Sequence, residues 1–320
     1  MTDADATSRL PDMEALWALA ERFEAARADD PALAGAGMDD MLRLVPGQRA
    51  VCRGHIDGRP CVWRIFLDGH DTAAAREWAE LQRIWPEMNK GPFRVVEPLY
   101  FSSEHGMIAV QEVEGKPLFK LLWKAPPRKR AQWLDPAAQW LRQYTESSES
   151  WQEAGHIGWL QRAERAARKQ PFEELRKLEA AILSELGRLA RQIDGIEWRV
   201  AISHGDFHPN NLIACGGSLT GIDTGGSAKM PIYKDIARFL MHMGRRGMIP
   251  SGHMYLGVDR VGLEAFAERF AMSGTERLII MPFMLGIEAL LRVETPALSD
   301  SRIRRARRMS AALLEDLRAL

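Results

Sequence analysis

Three polar side chains set the chemistry this chain could do. The stretch His204-Gly205-Asp206-Phe207-His208-Pro209-Asn210-Asn211 places a carboxylate at Asp206 and an amide at Asn211, and Ile222-Asp223 adds a second carboxylate after a short hairpin. Phosphoryl transfer from a nucleotide needs these parts in this order. One carboxylate positions and deprotonates an acceptor hydroxyl, while an amide oxygen and a carboxylate hold Mg2+ against the phosphates. Hard Mg2+ takes oxygen ligands and keeps several waters, so two protein ligands suffice. Taken singly, Asp206 reads as a turn cap and Asn211 as a turn residue after Pro209. Asp223 alone reads as a strand-end residue bonding the backbone of Gly225 or Gly226. Their joint spacing, H-x-D-x-x-x-x-N and then Asp, favours the chemical reading.

His204 and His208 stand four apart beside Asp206, the spacing of a zinc pair on one helix face. Gly205 and Pro209 oppose a helix here, and no third ligand cluster accompanies the pair. Both read as loop scaffold, with His204 bonded inside the loop and His208 orienting it.

The flanking sequence must position this stretch. Residues 12–28 place Leu16, Leu19, Ala20 and Phe23 at helical spacing with Asp12 as N-cap, and 29–40 read as a linker. Segments 50–56 and 60–67 flank Asp57-Gly58, a two-residue hairpin signal. A helix over 73–85 and strands near 93–101 and 107–113 follow. Gly115-Lys116-Pro117 breaks the pattern and divides the chain into 1–114 and 115–320. Beyond it the spacing predicts helices over 128–149, 158–169, 171–193, 233–246, 260–272, 275–294 and 299–319. Short strands over 199–203, 212–215 and 219–222 hold the polar stretch. Strands with one helix, then helices with a few strands, make an α+β pattern of two lobes, and small ligands bind between lobes.

HGDFHPNN, GIDTGG and Asp235-Ile236-Ala237-Arg238-Phe239 together resemble the aminoglycoside phosphotransferase and choline kinase-like family, over residues 42–245 and most densely over 200–240. The resemblance implies a bilobal protein-kinase-like α+β fold. Its N-terminal lobe (1–114) is small and β-rich, and its C-terminal lobe (115–320) is larger and mainly helical. It also implies phosphorylation of a small molecule by Mg-ATP. Asp206 becomes the catalytic base, Asn211 and Asp223 the Mg2+ ligands, and Asp235 a buried carboxylate tying its helix to the catalytic loop.

The resemblance extends into the first lobe. Residues 44–48 are similar to the phosphate-covering loop, with Gly47 as their one glycine, and 61–66 to the third strand. That strand's basic residue is Arg64 in place of the usual lysine, as in the choline kinase-like branch. A guanidinium fork can still clamp the α- and β-phosphates. Glu77 or Glu80 on the next helix would pair with it. Residues 108–118 resemble the strand and hinge that carry adenine, with Gln111, Glu112 and Val113 as hinge residues. Two positions depart from the pattern. Thr224 follows Asp223 where an aromatic is common, which alters the acceptor side, and Tyr144 replaces a histidine near a helix end. Glu288, Arg292 and Glu294 fall on a late helix that lines the acceptor pocket in relatives.

Bulk properties exclude more than they assign. Lysine plus arginine and aspartate plus glutamate each number 43 in 320 residues, so net charge gives no argument for nucleic acid or a membrane surface. No protein partner is implied. Cys52, Cys61 and Cys215 are too few for a disulfide framework, so reduced thiols and a cytoplasmic location are expected. The acidic, alanine-rich start lacks the grammar of a secretory leader, and no apolar run has the length of a membrane span. Trp133 and Trp140 sit at helical spacing and read as core rather than as an aromatic cage. Arg302, Arg304, Arg305, Arg307 and Arg308 read as a solvated helix face. The expectation is an ATP-dependent phosphotransferase acting on a hydroxyl of a small polar molecule. Aminoglycosides, amino alcohols, sugars and homoserine-like metabolites all stay open, because fold does not fix substrate. A non-catalytic nucleotide-binding kinase-like protein is one alternative, carried by Arg64 and the glycine-poor loop. A metal-dependent hydrolase using His204, His208 and Asp206 is another.

Overall fold

Alternation along one hairpin organises the first part of the molecule. A computed structural model describes residues 13–45, 48–67 and 71–320, and the chain divides into Met1–Asn89 with Val95–Glu114, and Lys90–Arg94 with Gly115–Leu320. The first unit opens with helix α1 (Met13–Asp29), then strands β1 (Gly37–Val45), β2 (Arg49–Ile56) and β3 (Arg59–Phe66). Asp57 and Gly58 both take positive φ, 49° and 72°, as a tight hairpin turn requires, and set Ile56 opposite Arg59. Helix α2 (Asp71–Ile84) follows, and after β4 (Phe93–Val95), most of which belongs to the second unit, come β5 (Pro98–Ser102) and β6 (Met107–Gln111). The unit's sheet has the order β1-β2-β3-β6-β5. The segment 29–40, expected as a linker, already enters β1 at Gly37. Its burial does not alternate, so the sequence carried no period-two signal.

Successive β3 side chains face opposite sides of the sheet. Cys61, Trp63 and Ile65 pack with Leu19, Phe23 and Tyr100. Trp63 meets the Phe23 and Tyr100 rings edge-on at 5.2 and 6.0 Å. Cys52 stands opposite Trp63, and Cys61 opposite Gly54, so the two thiols are two residues out of register. Both are free and buried, and burial raises their pKa to about 11 and about 12. Phe66 joins Ala74 of α2 and Ile108 on the opposite face. Arg64 shares that face with Phe66.

In the second unit, β7 (Lys116–Pro117), α3 (Leu118–Lys124), α4 (Pro127–Arg130) and α5 (Leu134–Glu146) come first. One helix was expected over 128–149. A 3-10 turn at Ala131–Trp133 divides it into α4, which opens on Pro127, and α5, which ends at Glu146. Then come β8 (Ser150–Glu153), α6 (His156–Ala167), α7 (Glu173–Ile193), β9 (Glu197–Ser203), β10 (Leu212–Cys215), β11 (Ser218–Gly221), β12 (Ala228–Pro231) and α8 (Ile232–Gly244). The unit closes with β13 (Met254–Tyr255), β14 (Val258–Asp259), α9 (Arg260–Arg269), α10 (Met281–Leu291) and α11 (Asp300–Ala319). Strands β12-β9-β8 form one sheet and β4-β11-β10-β7 another. The helix expected over 275–294 is a π segment at Glu276–Ile280 followed by α10. Pro282 has no N–H to give to the preceding turn, and a π segment accommodates that gap. The helix ends at Leu291, so Arg292 and Glu294 lie beyond it. Among the described residues no helix is long and apolar enough to cross a membrane.

Candidate active site

The polar stretch leaves β9 and is nailed down by its aromatic residue. Phe207 is fully buried, stacked between Trp140 of α5 (5.4 Å) and Phe239 of α8 (5.1 Å). Truncating a side chain packed this way costs about 3–5 kcal/mol. With Phe207 fixed inward, its neighbours Asp206 and His208 face outward. Gly205 makes the turn possible. Its φ is +83°, and a Cβ there would lie 1.9 Å from Gly226 O. Its N–H donates to Asp235 Oδ2 at 2.9 Å, and its carbonyl accepts from Lys234 Nζ. Asp235 is fully buried in the first turn of α8, so the sequence-predicted tie between that helix and the loop is present.

His204 is sealed inside the unit, its Nε2 in contact with Ile222 O at 3.0 Å. That joins the loop to the strand end before Asp223. Tyr144, at the position of a histidine in relatives, is also fully buried. It stacks on Trp140 and its hydroxyl meets Ser227 Oγ at 2.9 Å. Thr224 is fully buried as well. Its side chain is enclosed within the unit.

Asn211 and Asp223 flank one end of the β10–β11 hairpin. Asn211 N donates to His208 O at 2.8 Å and Asn211 O accepts from Ile222 N at 3.0 Å. Asn211 Nδ2 donates to Asp206 O at 3.0 Å, which turns Oδ1 the other way. Asp223 takes left-handed φ and ψ of 65° and 50°, a conformation aspartate tolerates better than most residues. One amide oxygen and one carboxylate are the donor set hard Mg2+ accepts, so these residues fit that ion. Among the described residues no group of three His, Cys, Asp or Glu could hold a metal. With His204 buried on Ile222, the histidine pair does not form a zinc site.

Asp206 has partners that sequence reasoning did not assign. Arg238 Nε donates to Oδ1 at 2.8 Å, His208 Nε2 lies 3.5 Å from Oδ2, and Arg292 Nη2 lies 3.7 Å from Oδ1. Glu288, buried on α10, pairs with both arginines, at 3.4 Å to Arg238 and 3.1 Å to Arg292. Burial pushes the Asp206 carboxyl up, but His208 and Arg238 outweigh it and hold it well below the usual carboxylate range. The available signal was helical spacing. Arg238 follows Asp235 by three positions on α8, so the two lie on one face, whereas Arg292 lies past the end of α10. Behind His208 sits His242, ring to ring at 4.5 Å. Burial, then the charges of Arg246, His208, Arg238 and Arg302, hold its pKa well below the ordinary value.

In the first unit, Arg64 Nη1 donates to Glu77 Oε1, and both residues are buried. Glu80 accepts from Arg83 at 2.6 and 2.9 Å. Glu77 and Glu80 are both buried with Ala74, Leu81 and Ile84 on α2. The strand expected over 107–113 ends at Gln111. Gln111 N donates to Glu97 O at 2.9 Å and Glu112 N to Pro60 O at 3.2 Å, while Glu112 also binds Arg53 at 2.7 Å. Val113 follows these two. Gly47 lies outside the described residues.

Solved structures with the same fold are distant in sequence. A putative aminoglycoside phosphotransferase from Ralstonia eutropha shares 14% identity over 94% of this chain and 98% of its own, with a TM-score of 0.62. An amicoumacin kinase in complex with AMP-PNP, Ca2+ and amicoumacin shares 12% over 93% and 95%, with a TM-score of 0.58. A choline kinase from Streptococcus pneumoniae shares 16% over 91% and 98%, with a TM-score of 0.52. No curated protein sequence matches the chain. The fold is thus the protein-kinase-like α+β fold of these phosphotransferases. The phosphotransferase enzyme family itself matches residues 47–268, more than half of the sequence, and the chain belongs to that family.

Proposed function

We propose that the chain transfers the γ-phosphoryl group of ATP to a hydroxyl of a small polar molecule. The observation that carries the reading is Asp206: a carboxylate 43% exposed, held by Arg238, next to an Asn211 amide oriented by its own backbone. The AMP-PNP held by the amicoumacin kinase of the same fold supports ATP as donor.

Asp206 accepts a hydrogen bond from the acceptor hydroxyl and aims its oxygen at phosphorus. A carboxylate held so far below its usual pKa is a weak base. Its main work is therefore orientation, and the proton moves late, as suits a loose transition state. Asn211 Oδ1 and the Asp223 carboxylate would hold Mg2+, which would supply charge neutralisation for the phosphates. Arg64, braced by Glu77, would steady the α- and β-phosphates. With the Gln111 and Glu112 N–H groups committed, adenine would be read by the carbonyls there and by the Val113 N–H. The work of these residues is positioning and charge stabilisation.

Release of ADP from Mg-ATP across a panel of aminoglycosides, amino alcohols and sugars tests the reading. Acceptor-dependent release that Asp206→Asn loses is expected. ATP binding without acceptor-dependent release across the panel would favour the non-catalytic alternative.

A further inference from the structure

Between Gly115 and Leu134 the chain carries Lys116, Lys120, Lys124, Arg128, Lys129 and Arg130 and no acidic residue. In a sequence whose net charge is zero, this is a block of one sign. Helix α3 buries Leu118, Phe119 and Leu122 and turns Lys120, Trp123 and Lys124 outward. Trp123 is 42% exposed. Past Lys124 the Pro126-Pro127 corner is closed by Arg130 Nε donating to Ala125 O at 3.0 Å, and Arg128 and Lys129 are exposed. Asp135, the next acid along the chain, is held by Arg269 at 2.6 and 2.8 Å.

A large aromatic held outward among cations is poorly placed for bulk water. It is well placed at a lipid interface, where the indole sits at headgroup depth and lysines meet anionic headgroups. We propose that the α3–α4 ledge docks this protein on an anionic lipid surface. Half-buried Leu121 beside Trp123 gives the ledge an apolar tip. Single-stranded nucleic acid would instead need a platform of several stacking aromatics. The ledge also touches the catalytic loop. Phe119 N donates to Pro209 O at 3.0 Å, and the Phe119 ring meets His242 at 5.2 Å. Docking therefore holds Asp206 and its neighbours close to the lipid surface.

Cosedimentation of the full chain with vesicles tests this. Phosphatidylcholine alone is compared with an equimolar mixture of phosphatidylcholine and phosphatidylserine, at low and at physiological salt. Binding to the mixed vesicles only, weakened by salt, is expected. The exposed cations contribute roughly fivefold each, so Lys120→Ala/Lys124→Ala/Arg128→Ala should lower partitioning about 100-fold. Trp123→Ala should abolish the binding that survives physiological salt. Both variants change exposed side chains, and an unaltered thermal midpoint checks their fold. Equal binding to both vesicle types, undiminished binding of the triple variant, or preference for an RNA or DNA oligonucleotide over the mixed vesicles would overturn the proposal.

Discussion

Among the carboxylates that pair with arginines, Glu77 in one unit and Asp206 in the other are treated in opposite ways. The Arg64 and Glu77 side chains are 7% and 2% exposed, sealed between strand β3 and helix α2. Asp206 is 43% exposed, while its partner Arg238 is 11% exposed and Glu288 behind it 2%. The first pair fixes an arginine in place, and desolvation is the cost. The second backs a carboxylate from one side and leaves the rest of it accessible. A residue that grips can be locked, whereas one that must meet an incoming hydroxyl is held by one edge. The contrast matches the roles proposed for Arg64 and Asp206.

Substitutions can break that contrast in order of expected size. Glu77→Ala leaves a buried guanidinium without its carboxylate and should destabilise the protein by on the order of 3 kcal/mol, read from denaturant unfolding. Unchanged stability would mean the pair is not sealed. Asp206→Ala should lower turnover on any accepted substrate by about 10²-fold or more, and turnover near wild type would remove Asp206 from the mechanism. Arg238→Ala should act through pH. Asp206 is depressed below the usual carboxylate value of about 3.9, so its contribution to stability and its charged form persist above that value and are lost as pH falls through its folded pKa. Removing Arg238 should move the acid limb of the rate profile to higher pH, whereas Arg292→Ala, at longer range, should move it less. Equal shifts for the two would contradict the geometry. Smallest is Glu164→Ala. It breaks an exposed i,i+4 pair with Arg168 and should change stability by no more than about 0.5 kcal/mol.

The readable parts of the chain were those whose signal is local. Asp57-Gly58 announced its hairpin because a tight turn needs two left-handed residues. The α+β fold was legible in the order of strand and helix periods. Asp206, Asn211 and Asp223 lie within one loop–hairpin unit, so their mutual approach follows from short-range bonds such as Ile222 N to Asn211 O. Arg238 and Arg292 reach Asp206 from α8 and the turn after α10, with Glu288 of α10 behind both, and no local pattern brings distant helices together. Strand β8 escaped notice because its residues are largely exposed and show no apolar alternation. Glu77 and Glu80 are both buried on α2, so helix periodicity does not separate them, and the Arg64–Glu77 hydrogen bond is a tertiary contact.

Thermal unfolding with ATP, with and without Mg2+, on the wild-type chain and on Asp223→Ala, tests the central claim most directly. Ligand at about 100 times its dissociation constant adds roughly 2.7 kcal/mol, a shift of a few degrees for a chain of this size. The proposed phosphotransfer site predicts an ATP shift that grows with Mg2+ in the wild type and loses that growth in Asp223→Ala. No ATP shift, or an Mg2+-dependent shift that the variant keeps, would contradict it.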